Sequence, residues 1–136
     1  MARSVLVDTG FLVGLLRKRD ERQRWAAIQA TTFQPPWLTC EAVLSEAYHL
    51  LEEVNVFGIS AMLRRGALSV NFKLTTHLDP VLRLIEKYAD VPMSLADACL
   101  VRMTEILDDP VVLTTDDHFR VYRRHSRQVV PCVLPD

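Results

Sequence analysis

The chain has little glycine and little cysteine, and these scarcities argue against several kinds of site. Only four of its 136 residues are glycine, and neither a Gly-rich phosphate-binding loop nor a G-x-S-x-G elbow occurs. The three cysteines, Cys40, Cys99 and Cys132, are widely separated and show no C-x-x-C spacing. They are predicted to be reduced, buried thiols. The four histidines form no H-x-x-x-H or Cys/His pattern, which argues against a zinc site.

Long apolar runs are absent as well. The first segment meets the charge of Asp8 after only three apolar residues, and no run approaches the roughly 18 residues of a membrane span. No Pro-rich or Gly/Ser-rich stretch marks a domain boundary, and 49% of the residues are hydrophobic. The sequence therefore predicts a single domain over residues 1–136, cytoplasmic and without a membrane partner.

Lysine is scarce, because thirteen of the sixteen basic residues are arginine, and the net charge is only -1. The arginines cluster near residues 17–24, 64–65 and 120–127. Arginine's planar fork pairs bidentately with phosphate oxygens, so these clusters suit a polyanionic partner. The alternative is that they are solvated helix faces, since Asp20 and Glu21 interrupt the first cluster.

Hydrophobic periodicity predicts alternating strands and helices. The expected strands are 4–8, 37–39, 69–74, 111–114 and 128–133. The expected helices are 9–17, 21–31, 41–54, 57–67, 79–88 and 94–107, with a short helix ending at Arg124. Strands separated by helix-length segments indicate an α/β fold with a mainly parallel sheet covered on both faces.

Four acidic residues stand where strands should end or helices begin. Asp8 and Asp116 each follow a buried strand, and parallel strands deliver such residues to one edge of the sheet. Asp97 lies in the first turn of a predicted helix. Glu46 is predicted to be the acid nearest the core, because it borders a helical apolar stripe made of Val43, Ala47, Leu50 and Val54.

Each aspartate also has a purely structural explanation. Ser94 to Asp97 matches a capping box, Asp116 could be an N-cap, and Asp8 could be a turn residue before Gly10. Glu46 is harder to explain in this way, because a carboxylate beside an apolar stripe needs a cation or hydrogen-bond donors to stay ionised.

The same residues carry a resemblance to a known family. Val7-Asp8-Thr9-Gly10, Leu44-Ser45-Glu46, Ser94-Leu95-Ala96-Asp97-Ala98, and Leu113-Thr114-Thr115-Asp116 followed by Phe119 resemble, in order and spacing, the PIN-domain ribonucleases. That family includes the VapC-like toxins of prokaryotic toxin-antitoxin pairs. The chain departs from the pattern at Gln23, where many relatives carry histidine, and Asp117 leaves open which of two adjacent acids faces the site.

The resemblance implies a Rossmann-like α/β/α sandwich that hydrolyses RNA phosphodiester bonds, in the manner of an endonuclease, with Mg²⁺ or Mn²⁺. It implies Asp8, Asp97 and Asp116 as direct or water-mediated ligands, Glu46 as a ligand or water-orienting base, and the hydroxyls of Thr9 and Thr114 as orienting groups. It further implies an RNA substrate, an antitoxin partner and a homodimer. The candidate RNA-binding residues are Arg17, Arg19, Arg120, Arg123 and Arg124.

Other classes of protein also gather acids at strand ends. A haloacid-dehalogenase-like phosphatase would show D-x-D after the first strand, where Asp8 is followed by Thr9 and Gly10. A response-regulator receiver would need a late lysine, and Lys87 is the last one. A catalytically silent RNA- or protein-binding module of the same fold remains the main alternative.

Overall fold

The computed structural model describes residues 3–136 and centres on a five-stranded parallel sheet. Residues 1 and 2, which the predicted domain included, lie outside the described residues. The sheet contains β1 (Ser4–Val7), β2 (Trp37–Leu38), β3 (Leu68–Ser69), β4 (Pro110–Leu113) and β7 (Cys132–Val133), in the order β3-β2-β1-β4-β7. A separate antiparallel hairpin pairs β5 (Arg123–Arg124) with β6 (Gln128–Val129).

Within residues 3–136 six helices flank the sheet, which confirms the predicted α/β/α architecture. They are α1 (Thr9–Leu16), α2 (Gln23–Thr32), α3 (Glu41–Leu51), α4 (Val56–Arg64), α5 (Leu78–Lys87) and α6 (Leu95–Ile106). The described part of the chain also contains two 3₁₀ turns, Leu74–His77 and Asp117–Arg120. Among the described residues, no helix is long and apolar enough to cross a membrane.

The order of the strands places the site. The chain runs outward from β1 through β2 to β3, and β4 returns to pair with the other side of β1. The two central strands pair residue for residue from Ser4 with Pro110 to Val7 with Leu113. Both strands therefore end at the same level, and the crevice beyond them is the usual ligand position in an open α/β sheet.

Three predicted elements differ from the structure. The strand expected at 69–74 is only Leu68–Ser69, because its neighbour β2 offers two residues for pairing. The strand expected at 128–133 is divided near Pro131, so that β6 joins the hairpin and β7 joins the sheet. The short helix expected to reach Arg124 is a 3₁₀ turn that ends at Arg120.

Packing in the core accounts for the two tryptophans and for most of the cysteines. The indole of Trp37 is buried and meets the Phe11 ring edge-on at 5.1 Å, and Trp25 meets the same ring at 6.0 Å, so both tryptophans have the predicted packing role. All three cysteines are free, as predicted. Cys132 is only half-buried, contrary to expectation, because it lies on the edge strand β7.

Candidate active site

Asp8 joins the end of β1 to the start of α1. Its carboxylate Oδ1 accepts a hydrogen bond from the backbone N–H of Thr9 at 2.7 Å, which makes it the N-cap of α1. Its own N–H donates to the carbonyl of Leu113 on β4 at 3.0 Å. The side chain is 6% exposed. Backbone contacts on two sides therefore fix this acid at the carboxyl edge of the sheet.

Thr114 connects Asp8 to the next acid along this edge. Its buried hydroxyl donates to Oδ2 of Asp8 at 2.7 Å and accepts the N–H of Asp116 at 3.0 Å. The hydroxyl of Thr9, in contrast, donates to the carbonyl of Val43 at 3.4 Å. Thr9 therefore contacts Asp8 through its backbone N–H, and the orienting role of its hydroxyl stays a prediction.

Asp116 caps the 3₁₀ turn that follows β4. Its Oδ1 accepts the N–H of His118 at 2.9 Å, and the imidazole Nδ1 of His118 lies 3.2 Å from the same oxygen. About a third of the Asp116 side chain is exposed to solvent (35%). Asp117 lies instead at a neighbouring depression with Arg22 and Arg120, so Asp116 is the acid that faces the cleft.

Asp97 enters the cleft from the first turn of α6. The hydroxyl of Ser94 caps this helix by accepting the N–H of Asp97 at 3.0 Å. The Asp97 side chain is 7% exposed, and its Oδ2 accepts a hydrogen bond from the Tyr122 hydroxyl at 2.8 Å. The cap by Ser94 predicted from sequence is present, and Asp97 also lines the cleft.

Glu46 also lines the cleft, but the prediction that it is the acid nearest the core was wrong. The side chain is exposed, whereas Asp8 and Asp97 are buried. The buried stripe of α3 consists of Val43, Ala47 and Leu51 rather than Leu50 and Val54. Val43, Ala47 and Leu51 are four residues apart, so each lies a little further around the helix than the one before. The stripe therefore turns away from the face that carries Glu46.

These four acids share one open cleft of about 470 Å³. Its lining includes Thr9, which was predicted, and residues that the sequence did not assign to the site: Gly10, Val13, Asp20, Glu21, Arg22, Leu50, Pro92, Ser94, Thr115 and His118. The contact from Tyr122 was missed altogether, because it joins residues 25 positions apart and has no local sequence pattern. Gln23, the departure from the family pattern, begins α2 and is not part of this lining.

Burial and mutual repulsion disfavour the charged forms of the inner acids. Burial raises the pKa of Asp8 to about 7, the negative charges of Asp97 and Asp116 add to this rise, and the hydrogen bonds from Thr114 and Thr9 oppose it. Burial likewise raises the pKa of Asp97, against the opposing bond from Tyr122. Burial and the neighbouring Asp97 raise the pKa of the Tyr122 phenol, which therefore stays protonated and donates.

The donor set fits a hard divalent cation. Carboxylates are the ligands that Mg²⁺ and Mn²⁺ prefer, and a cation would stabilise the charged form of Asp8, which burial and then the repulsion from Asp97 and Asp116 disfavour. Within residues 3–136, no three acidic, histidine or cysteine side chains are close enough to form a ready-made ligand cluster. Because Mg²⁺ usually retains several waters in proteins, contacts through water suit this wider spacing.

The five candidate RNA-binding arginines divide into two groups. Three use their guanidinium groups to bind backbone carbonyls: Arg17 binds Leu50, Arg124 binds Thr104, and Arg123 binds residues 120–122. Arg19 and Arg120 are exposed, and Arg120 borders the depression beside the acidic cleft. Arg22, which was not among the five, lines both the cleft and that depression.

A parallel sheet with acids gathered beyond its central strands defines an α/β/α domain with a carboxylate-lined cleft. The chain belongs to the PIN domain family, whose model matches residues 5–124. The four acids lie within the matched range, and the family membership predicted from the four motifs is confirmed.

Among solved structures, the chain is similar to VapC20 of Mycobacterium tuberculosis, described as a sarcin-ricin loop cleaving toxin. The TM-score is 0.64 at 20% sequence identity, and the match covers 80% of this chain and 87% of that one. Comparison with curated proteins finds no sequence match.

Proposed function

We propose that this protein is a metal-dependent ribonuclease that hydrolyses RNA phosphodiester bonds endonucleolytically, with Asp8, Glu46, Asp97 and Asp116 as its catalytic acids. The observation that carries the proposal is the convergence of these acids in one cleft at the carboxyl edge of the sheet. Membership of the PIN family and the fold shared with an RNA-cleaving toxin support it.

The chain's own residues hold the acids in place for such a reaction. Asp8 is fixed through both oxygens, by the N–H of Thr9 and the hydroxyl of Thr114. The backbone N–H of Asp116 donates to the same hydroxyl, which fixes the position of Asp116 relative to Asp8. The exposed carboxylate of Glu46 extends from α3, where it can orient a water molecule next to the scissile phosphate.

A bound Mg²⁺ or Mn²⁺ would supply positive charge to the phosphoryl oxygens and would lower the pKa of an attacking water. Asp8, Asp97 and Asp116 are the residues that would hold it, directly or through water. The raised pKa values of Asp8 and Asp97 mean that such a cation and protons compete for these two carboxylates.

The RNA backbone would be held by arginines near the cleft rather than by the acids. Arg22 lines the cleft itself, and Arg120 borders the adjoining depression. Arginine contacts to phosphates supply much of the affinity of proteins for nucleic acids, so substrate binding and cleavage depend on different side chains.

Cleavage of defined RNAs tests the proposal. The purified protein is incubated with unstructured RNA, with a sarcin-ricin loop hairpin and with the matching DNA, in Mg²⁺, in Mn²⁺ and in a chelator. We expect cleavage of RNA only when a divalent ion is present. Asp8→Asn should lower the rate by about 10² or more, because charge is lost from the cation site at nearly constant volume.

Asp108→Asn is the matched control. Asp108 is an exposed aspartate just before β4, at the opposite edge of the sheet, so its loss should leave the rate within about twofold. Filter binding on the same preparations should show little change in RNA affinity for either variant. RNA binding without metal-dependent cleavage by the parent protein would favour the binding-module alternative instead.

The biological setting that we propose follows from the family resemblance. It consists of a toxin acting on cytoplasmic RNA, inhibited by a protein antitoxin, and forming a homodimer. Co-expression with the product of an adjacent small gene, followed by size-exclusion chromatography, tests both the antitoxin and the dimer.

A further inference from the structure

Tyr122 is not part of the cleft lining, but its hydroxyl contacts Asp97, one of the two buried acids of the cleft. Its side chain is fully buried, and its hydroxyl donates to Oδ2 of Asp97 at 2.8 Å. The residue lies between the 3₁₀ turn after β4 and the hairpin strand β5. The bond therefore connects the start of α6 to the loop that also carries Asp116.

We propose that Tyr122 is a positioning residue that fixes the rotation of the Asp97 carboxylate, so that Oδ1 faces the cleft and the divalent cation. This inference rests on the proposed function. The phenol donates to Oδ2 of Asp97, and hydrogen bonding from Ser94 at the start of α6 also acts on this carboxylate. Two groups outside the metal position thus restrict the carboxylate, which lines the cleft where a cation or its bound water would lie.

The phenol can do this because its ring is itself held. The ring meets those of Tyr88 and Phe119 edge-on, each with a centroid distance of 5.2 Å. The Tyr88 hydroxyl is engaged elsewhere, because it accepts the backbone N–H of Arg123 at 2.9 Å, so Tyr88 holds the Tyr122 ring through its own ring. A donor mounted on a locked ring restricts an acceptor more than a mobile side chain could.

Loss of the Tyr122 hydroxyl should weaken binding of the cation, and not only lower the stability of the fold. Removal of a group that hydrogen-bonds a metal ligand typically lowers metal affinity about 10- to 100-fold. The hydrogen bond from Tyr122 is made to an acid, so it is stronger than a bond between neutral groups and its loss releases the carboxylate. We therefore expect Tyr122→Phe to weaken binding of Mn²⁺ by about 10-fold or more.

Tyr88→Phe is a matched control from the same aromatic cluster. Both tyrosines are buried and both lose one hydroxyl hydrogen bond, but only the hydroxyl of Tyr122 contacts an acid. Calorimetric titration with Mn²⁺ should therefore separate the two variants, even if their melting temperatures fall by similar amounts. Tyr88→Phe should keep the Kd for Mn²⁺ within about twofold of the parent, in line with the small effect of changes remote from a site.

Two further readouts distinguish positioning from general damage. In an Asp97→Asn background, Tyr122→Phe should no longer change the Kd for Mn²⁺, because the group on which it acts has lost its charge. In RNA cleavage, Tyr122→Phe should be rescued in part by a higher Mn²⁺ concentration, with the KM for RNA unchanged. Both readouts use the full chain, with folding checked by circular dichroism.

The two proposals fail in different ways. A parent protein that binds Mn²⁺ and cleaves RNA, together with a folded Tyr122→Phe variant of unchanged Kd, would overturn the positioning role alone. An equal loss of Mn²⁺ affinity in Tyr88→Phe would also overturn it, since that hydroxyl contacts no acid. A parent protein that neither binds Mn²⁺ nor cleaves RNA would overturn both proposals.

Discussion

Replacing Asp8 with asparagine should stabilise the metal-free protein at alkaline pH, although it removes a residue of the proposed site. Asp8 is 6% exposed, and burial raises its pKa from 3.8 to about 7, with further contributions from Asp97 and Asp116. The charged carboxylate, which predominates above pH 7, is therefore destabilised by its surroundings. Asparagine carries no charge at any pH and is a good N-cap, so it should keep the bond from the N–H of Thr9.

The sign and size of the effect follow from proton linkage. Between about pH 4 and pH 7 the folded protein retains a proton that the unfolded chain releases, so the free energy of unfolding falls as pH rises. A rise in pKa from 3.8 to about 7 corresponds to about 4 kcal/mol lost by pH 8. A weakened bond from Thr114 would cost the variant about 1 kcal/mol. We expect a net gain of roughly 2–4 kcal/mol at pH 8, and at pH 4 a deficit of about 1 kcal/mol from the weakened bond.

Urea unfolding in the presence of a chelator, measured from pH 4 to pH 8, provides the assay. The difference in the free energy of unfolding between Asp8→Asn and the parent should open mainly between about pH 4 and pH 7 and then level off. Asp108→Asn, which removes an exposed charge, should follow the parent within about 0.5 kcal/mol. Parallel curves for Asp8→Asn and the parent would refute the argument, because the pH dependence assigned to Asp8 would then be absent.

Three other changes test the packing and polar contacts around the site. Gly10→Ala should destabilise the protein by about 1–3 kcal/mol in thermal unfolding and lower cleavage, because the new Cβ would lie 1.9 Å from Oγ1 of Thr115; an unchanged melting temperature would contradict the close approach. Thr114→Val should lower RNA cleavage at least 10-fold, whereas Thr104→Val, another buried hydroxyl remote from the cleft, should cost only stability. Arg120→Ala should weaken RNA binding in filter-binding assays, with no change in stability. The slope of log affinity against log salt concentration should fall in magnitude by about one.

The sheet could be predicted from sequence because its central strands are buried on both faces. All four residues of β4 are buried, so a continuous apolar run marks the strand without any information about its partners. The edge strands gave less accurate boundaries, because their length depends on the neighbour. The strand β3 pairs over two residues since β2 is no longer than that, and a local pattern carries no information on a partner's length.

The site was predictable to the extent that its residues occupy strand ends and helix starts. Asp8, Asp97 and Asp116 stand at such positions, where topology alone brings them together. The orientation of Glu46 was misjudged because Leu50 and Leu51 are both apolar, and a one-residue choice between them rotates the assumed buried face by about 100°. Tyr122 could not be found, because the contact depends on how the loop after β4 packs on α6.

The structural and functional explanations of the aspartates prove compatible, because a carboxylate has more acceptor sites than a cap requires. Asp8 and Asp116 each give one oxygen to a backbone N–H and retain further lone pairs for the cleft. Helix starts carry partial positive charge, which favours an acid there and partly offsets the cost of burying it. An acid that caps a helix beside an open crevice is therefore held rigidly by the fold while it still faces a ligand. Substitution by asparagine separates the two roles, since it preserves the cap and removes only the charge that a cation would need.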